Sequence, residues 1–397
     1  MQDTARAAGG TRDVPGFEVR PSHRDLLEPL ESLSAVVDVA GEGLVMVPAV
    51  RTDNTLATGI QLALGLQWPL LVLCSHELKA PAVRDRLRSA AGVHLTAADL
   101  VSSGYLRAHR QWSAVRHRAA LQRAWIDTNR KRNLALAAGA MTGRRWVLFV
   151  DDDVTGLTLG AVETALTHLV RRPDQRIVGW PHEQFPDNSV VHHARRDVMG
   201  WDQDVFVGGG ALLVHLSGAP PAPFPPIYNE DWLFLVDALG RHEVAGGPSV
   251  GHLPYEPYAN AERATVEEFG DVLGEGLLHL VHEGLPVVVA SDAAYWFPVL
   301  EKRRKLLGRI TERARELVAS ETDAARMQQV VHAMAEARRQ HTWVTGDALA
   351  DFVRRWRHDQ ETWTAFYERL PRRETVKDAL VHLGLHEAWI VTSGPLH

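Results

Sequence analysis

The sequence predicts an α/β fold, in which a mainly parallel sheet is flanked by helices and followed by a helical C-terminal region. Two observations predict it. From Leu44 onward, short and wholly apolar runs alternate with helical stretches, and strands apolar on both faces belong to sheets covered on both sides. Beyond about Gly270 the texture changes to charged, amphipathic helices.

Taken in order, residues 1–20 read as a loose tail. "LVMVP" (from Leu44) is a strand, "NTLATGIQLALGL" a helix opened by an Asn cap, and "PLLVLC" a second strand. "APAVRDRLRSAA" is a helix and "VHL" a short strand. A long helical region covers "RQWSAVRHRAALQRAW" and "RKRNLALAAGA". "RRWVLFV" is the next strand, "LGAVETALTHLVRR" a helix and "RIVGW" a strand. "SVVHHARR" and "VFVGGGALLVHL" read as further strands. A Pro-rich loop then leads into a helix at "EDWLFLVDALG". "EKRRKLLGRITERARELVAS", "DAARMQQVVHAMAEARRQ" and "ALADFVRRWRHDQETWTAFYERL" make up the helical C-terminal region.

Composition narrows the class. The chain has 397 residues, 45% apolar and 23% charged, enough for one large α/β domain and an appendage. A net charge of −6 argues against nucleic acid as a partner. Cys74 is the one cysteine, which fits a reducing cytoplasm. The opening residues are polar and predict no secretory leader, and the most apolar window, "LALGLQWPLLVLC", is too short and Pro-broken to span a bilayer.

The feature with chemical content is "RRWVLFVDDDVTG". Asp151, Asp152 and Asp153 stand side by side where a buried strand ends. Like charges this close repel, and one Asp would suffice to cap a helix. A divalent cation carrying phosphates would offset the repulsion, and ligands of open parallel sheets bind at this edge. Downstream, Glu230 and Asp231 open a helix. Capping is the bland account, and general base chemistry the sharper one. Upstream, Arg130, Lys131 and Arg132 at a helix start suit a diphosphate. Arg116, Arg123 and Arg130 recur every seven residues, which a solvated face explains. "GPSVG" lacks the helix that a serine-hydrolase elbow needs, and His182, Glu183, His192 and His193 lack HExxH spacing.

Two families share the strand-tip acids. "VLFVDDDVTG" resembles the first motif of haloacid-dehalogenase-type phosphatases, with Asp151 as nucleophile and Asp153 as acid/base. It also resembles the DxD motif of GT-A glycosyltransferases, metal-dependent enzymes of the family 2 type. The remaining chain favours the second. "VMVPAVRTDN" is similar to that family's first-strand signature, which implies that Pro48, Ala49, Arg51 and Asp53 line a nucleotide pocket. "NRKRNLAL" resembles its Arg-Asn helix start, implying Arg132 and Asn133 face the donor. "VFVGGGALLVH" offers Gly209 in the segment bordering the acceptor.

The resemblance implies a domain at residues 21–269 that binds a nucleotide-diphosphate sugar and transfers the sugar to a hydroxyl of a small-molecule acceptor, with inversion where Asp231, with Glu230 beside it, acts as the base. It implies that Asp151, Asp153 and His252 hold a divalent metal, manganese favoured over magnesium by the imidazole, while Asp151 and Asp152 meet the donor. Residues 270–397 form the helical region, open to a role as acceptor wall or homodimer interface. The alternatives are the phosphatase and a non-catalytic nucleotide-sugar-binding protein.

Overall fold

The structure, a computed structural model, describes residues 22–31, 37–51, 56–87, 92–100, 126–182, 189–201, 204–320, 323–385 and 388–392. Asp53, Arg116, Arg123, Glu183, the Asn54 cap and the helix expected before residue 126 lie outside the described residues. The strands are β1 (Glu28–Pro29), β2 (Gly43–Ala49), β3 (Leu70–Cys74), β4 (His94–Asp99), β5 (Trp146–Val150), β6 (Val154–Thr155), β7 (Ile177–Gly179), β8 (Ala211–His215), β9 (Val244–Gly246), β10 (Gly251–His252) and β11 (Ala388–Thr392). The helices are α1 (Ala57–Leu66), α2 (Ala80–Leu87), α3 (Ile126–Met141), α4 (Leu159–Arg171), α5 (Val190–Met199), α6 (Glu230–Gly240), α7 (Glu262–His282), α8 (Trp296–Ala319), α9 (Ala324–His341), α10 (Gly346–Tyr367) and α11 (Val376–His382).

Nine strands make one sheet in the order β1-β9-β7-β8-β5-β2-β3-β4-β11. Pairs β5-β2, β2-β3, β3-β4, β7-β9 and β9-β1 are parallel, while β8 and β11 run against their neighbours. The mainly parallel, doubly covered sheet expected from the sequence is the one observed. Its apolar strands follow from the two cores. Leu44, Met46, Val147 and Phe149 face α3 and α6. Val45, Val47, Trp146 and Leu148, one residue out of step, face α1 and α4. Gly43 lacks a side chain because a Cβ there would overlap the Trp68 ring.

The expected C-terminal helices are present as α8, α9 and α10. Residue 270, where the texture changes, lies within α7. The helical region also returns to the sheet: β11 pairs antiparallel with β4, Ala388 opposite Ala98. No helix among the described residues is long and apolar enough to cross a membrane.

Two strand expectations need correction. "SVVHHARR" is helix α5, not a strand. Ser189 caps it, its hydroxyl accepting from the His192 N–H at 3.3 Å, and Val190, Ala194 and Val198 recur at helical spacing into a core shared with α8 and α9. Adjacent valines suggested β structure, but burial of one helical stripe prevailed. In "VFVGGGALLVHL" only Ala211–His215 is strand. The segment before it is a loop.

The helical region holds a buried charge cluster. Arg303 of α8, 2% exposed, pairs with Glu268, Asp271 and Glu275 of α7 at 2.7 Å each. His341 of α9 bonds Glu268 at 2.9 Å. Removing one partner from such a cluster leaves its buried charges uncompensated. Arg303→Met should therefore cost about 3–5 kcal/mol in urea unfolding at neutral pH.

Candidate active site at the carboxyl edge of the sheet

The carboxyl ends of β2, β3 and β5 meet the amino end of antiparallel β8 along one edge, with Val150 opposite Ala211. Asp151 leaves β5 there, its N–H bonded to the Gly210 carbonyl at 2.8 Å. The three acids then diverge. Asp151 turns to Arg132, whose Nη2 lies 2.9 and 3.1 Å from its two oxygens. Asp152 turns under β2, accepting the Val50 and Arg51 N–H groups at 3.0 and 3.1 Å and the Arg51 guanidinium. Asp153 turns to His252, with Oδ2 3.0 Å from Nε2.

His252 arrives through a short antiparallel ladder in which β10 pairs with β6, His252 opposite Val154. A Cβ at Gly251 would overlap the Thr155 hydroxyl, so glycine permits the approach. The His252 Nδ1 lies 2.7 Å from the Leu253 carbonyl, which leaves Nε2 toward Asp153. Burial alone would raise the Asp153 pKa. His252 and Arg51 together hold it below the usual carboxylate range.

Arg132 joins this tip to the start of α6. It is 3% exposed, and its Nη1 bonds Glu230 Oε1 at 2.6 Å. Burial would lower its pKa, but Asp151, Glu230 and Asp231 raise it further above the ordinary value. The three glycines fit around these groups. A Cβ on Gly208 would lie 2.7 Å from Asp231 Oδ2, one on Gly209 would overlap the Arg132 guanidinium, and one on Gly210 would crowd Asp151 and His182 at 3.2 Å. Gly209 also donates its N–H to Asp231 Oδ2 at 2.8 Å. Asp231 is thereby aimed at the cleft, its other oxygen accepting the Trp232 N–H.

The cleft has about 860 Å³ of space counting its open mouth. Arg132, Asp151, Gly208, Glu230 and Asp231 line it, together with Ser189, His192, Arg263 and Asp271. Asp271 accepts from the amide of Asn229, 3.1 Å away, and Asn229 precedes Glu230 at a left-handed φ of 62°. The cluster around Arg303 is thus tied to the residues that open α6.

Several expected residues sit elsewhere. The described part of α3 runs from Ile126, so Arg130, Lys131 and Arg132 lie at least one turn inside the helix rather than at a phosphate-binding N-terminus. Lys131 is fully buried, its Nζ 2.6 Å from the Ser75 hydroxyl and 3.2 Å from the Ala49 carbonyl. Asn133 is also buried and clamps the Pro-rich loop, exchanging hydrogen bonds of 2.8 and 2.9 Å with the Phe224 backbone. Pro48 and Ala49 are buried in the last positions of β2, and Arg51 emerges just beyond them. His192 and His193 are both buried on α5. Burial pushes His192 down to about 3, so it is neutral at pH 7.

Among the described residues, no three His, Cys, Asp or Glu side chains converge as a cation site. The donor pair Asp153–His252 nevertheless fits a divalent ion. Neighbouring ligands on an octahedral ion with bonds of about 2.1 Å stand about 3 Å apart, close to the separation of the pair. Ions of this kind take one or two protein carboxylates and complete the shell with phosphate oxygens and water. Asp151 does not complete a three-ligand group. Its oxygens are on Arg132.

No protein-family model matches the sequence, and no curated protein matches it. Among solved structures the chain is similar to a mycobacterial protein at 17% identity, covering 63% of this chain and 77% of that one, with a TM-score of 0.38. Glucosyl-3-phosphoglycerate synthase from Mycobacterium tuberculosis, in complex with Mn2+, uridine-diphosphate-glucose and phosphoglyceric acid, is similar at 16% identity, 63% and 82% coverage, and a TM-score of 0.38. Mannosyl-3-phosphoglycerate synthase from Rubrobacter xylanophilus is similar at 14% identity, 62% and 75% coverage, and a TM-score of 0.38. These likenesses are partial, and the site is read from its own residues.

Glu230 gives the site a pH signature. Burial, helped by Asp231 and Asp151 and opposed by Arg132, raises its pKa from 4.5 to about 8. The folded state therefore keeps a proton that the unfolded chain releases. Stability from this group is complete below about pH 4.5 and is lost as pH rises through about 8. Denaturant unfolding across that window should show a steeper fall for the wild type than for Glu230→Gln.

Proposed function

We propose that the protein is a metal-dependent glycosyltransferase that moves a sugar from a nucleotide-diphosphate donor to a hydroxyl of a small-molecule acceptor. One observation carries the reading: Arg132 links the strand-tip Asp151 to Glu230 across one cleft, with Asp231 beside them. Two acidic sites about eighty residues apart in sequence thus face a common space. A group-transfer enzyme needs this arrangement, because the base must stand opposite the departing group.

In this reading Asp153 and His252 hold a divalent cation, manganese favoured over magnesium, which would supply charge neutralisation for the departing diphosphate. Arg132 adds fixed positive charge beside the tip, and Asp151 orients that guanidinium. Asp152 fixes the turn after β2 through the Val50 and Arg51 N–H groups. Asp231, with Oδ2 held by the Gly209 N–H, accepts the proton of the acceptor hydroxyl, so attack from its side inverts the anomeric carbon. Glu230, bonded to the Arg132 guanidinium at 2.6 Å and with its pKa raised by burial, suits a positioning role better than that of base.

The phosphatase reading asks Asp151 to attack phosphorus, whereas both its oxygens face Arg132. A panel of UDP-, GDP- and dTDP-sugars with Mn²⁺ tests the choice. Donor binding or hydrolysis is expected, and Asp231→Asn should retain donor binding while transfer falls about 10²–10⁴-fold. Binding with no turnover for any acceptor would instead favour a non-catalytic nucleotide-sugar protein. Phosphatase activity lost in Asp151→Asn, with no donor bound, would overturn the proposal.

A further inference from the structure

We infer that Arg51 is a built-in counter-cation of the strand-tip acids, which competes with a divalent ion for Asp153 and passes to the donor diphosphate when the ion loads. The inference rests on the metal assignment proposed above and concerns what this side chain does there.

The geometry is specific to one oxygen. Arg51 Nη2 lies 2.6 Å from Asp153 Oδ2, and that same Oδ2 lies 3.0 Å from His252 Nε2. An ion seated between Asp153 and His252 must draw on the oxygen that the guanidinium already holds. Asp152 and Asp153 have side chains only 3% and 9% exposed, so little water screens them and a positive partner is needed close by. Arg51 meets that need from a partly exposed position. Its side chain is 42% exposed, and it reaches the acids from the loop after β2.

The loop is anchored independently of the guanidinium, because the Val50 and Arg51 N–H groups stay on Asp152 Oδ2. The side chain can therefore leave Asp153 without releasing the backbone. A divalent ion beside a guanidinium on one oxygen is a repulsive arrangement. Displacement resolves it, and moves a bidentate phosphate-binding group off the acids at the step when a diphosphate must be held. Two consequences follow. The ion alone binds weakly, and ion and nucleoside diphosphate strengthen each other's binding by the same factor.

The test is Mn²⁺ binding to the full chain, followed by electron paramagnetic resonance or calorimetry, with and without UDP, GDP or dTDP. Wild type, Arg51→Gln, Arg51→Lys and the site control Asp153→Asn are compared, each checked for folding by circular dichroism. Arg51→Gln should bind Mn²⁺ alone roughly fivefold tighter, the scale of a partly exposed ion pair, and should lose most of the strengthening by diphosphate. Arg51→Lys, which cannot bridge two carboxylates as a planar fork does, should fall between. Asp153→Asn should abolish the site. Asp153-dependent binding that is unchanged or weaker in Arg51→Gln would overturn the role of Arg51 while leaving the metal assignment intact. Absence of Mn²⁺ binding in every variant, with or without diphosphate, would overturn both.

Discussion

The site depends on one buried cation. Arg132 sits at least one turn inside α3, behind the sheet edge, and reaches two carboxylates from different parts of the chain. Asp151 comes from the end of β5 and Glu230 from the start of α6. A guanidinium suits this position because its donors are fixed in a plane and it cannot shed its charge. With a lysine there, the two acids would share one mobile point charge and their relative placement would loosen. Gly209, in the segment before β8, lies so close to this guanidinium that a Cβ there would overlap it. Three elements, α3, β5 and α6, thus share one network around this guanidinium.

The helical region extends that network rather than closing the molecule off. Arg303 holds Asp271, Asp271 holds Asn229, and Asn229 precedes the acid pair at positive φ. Buried ion pairs contribute little net stability once desolvation is counted. Hydrophobic packing of α6, α7, α8 and α10 around Trp296, Phe352 and Trp356 already joins these helices. What the charges add is geometry. Each carboxylate has a directional partner, so the helices can settle in few relative positions without leaving a buried charge unpaired. The cleft is also lined by the same α7, through Arg263 and Asp271.

Much of this was legible from residue order. The parallel strands were readable because burial on both faces leaves unbroken apolar runs, and Asp151, Glu230 and Asp231 were readable because acids at the edge of a core are costly without a purpose. Lys131 and Asn133 were harder. Their types suggested ligand contacts, yet each is consumed inside the fold, Lys131 by the Ser75 hydroxyl and Ala49 carbonyl and Asn133 by the Phe224 backbone. Sequence shows a donor's chemistry but not whether the fold has already claimed it. Helix α5 was misread because vicinal valines favour strands locally, and only the stripe packed on α8 and α9 decides otherwise. The Arg303 cluster did leave a trace in the acids at 268, 271 and 275, spaced by single helical turns with apolar neighbours. The answering arginine lies about thirty residues away, and pairing across that distance needs the tertiary structure.

The division of labour among the three aspartates answers why repulsion does not forbid them. Successive residues leaving a strand point different ways, and each carboxylate meets its own partner: Arg132 for Asp151, backbone N–H groups and Arg51 for Asp152, His252 and Arg51 for Asp153. Mutual repulsion falls as each charge is met by its neighbours, with Arg51 shared between Asp152 and Asp153. The partners differ in permanence. Arg132 is locked by burial and by a second carboxylate, and the N–H groups on Asp152 belong to the backbone. Arg51 alone among these partners combines a net charge with a side chain two-fifths open to solvent. Of the three acids, Asp153 is therefore the one whose charge can be handed from a protein group to an incoming ion without dismantling the fold around it.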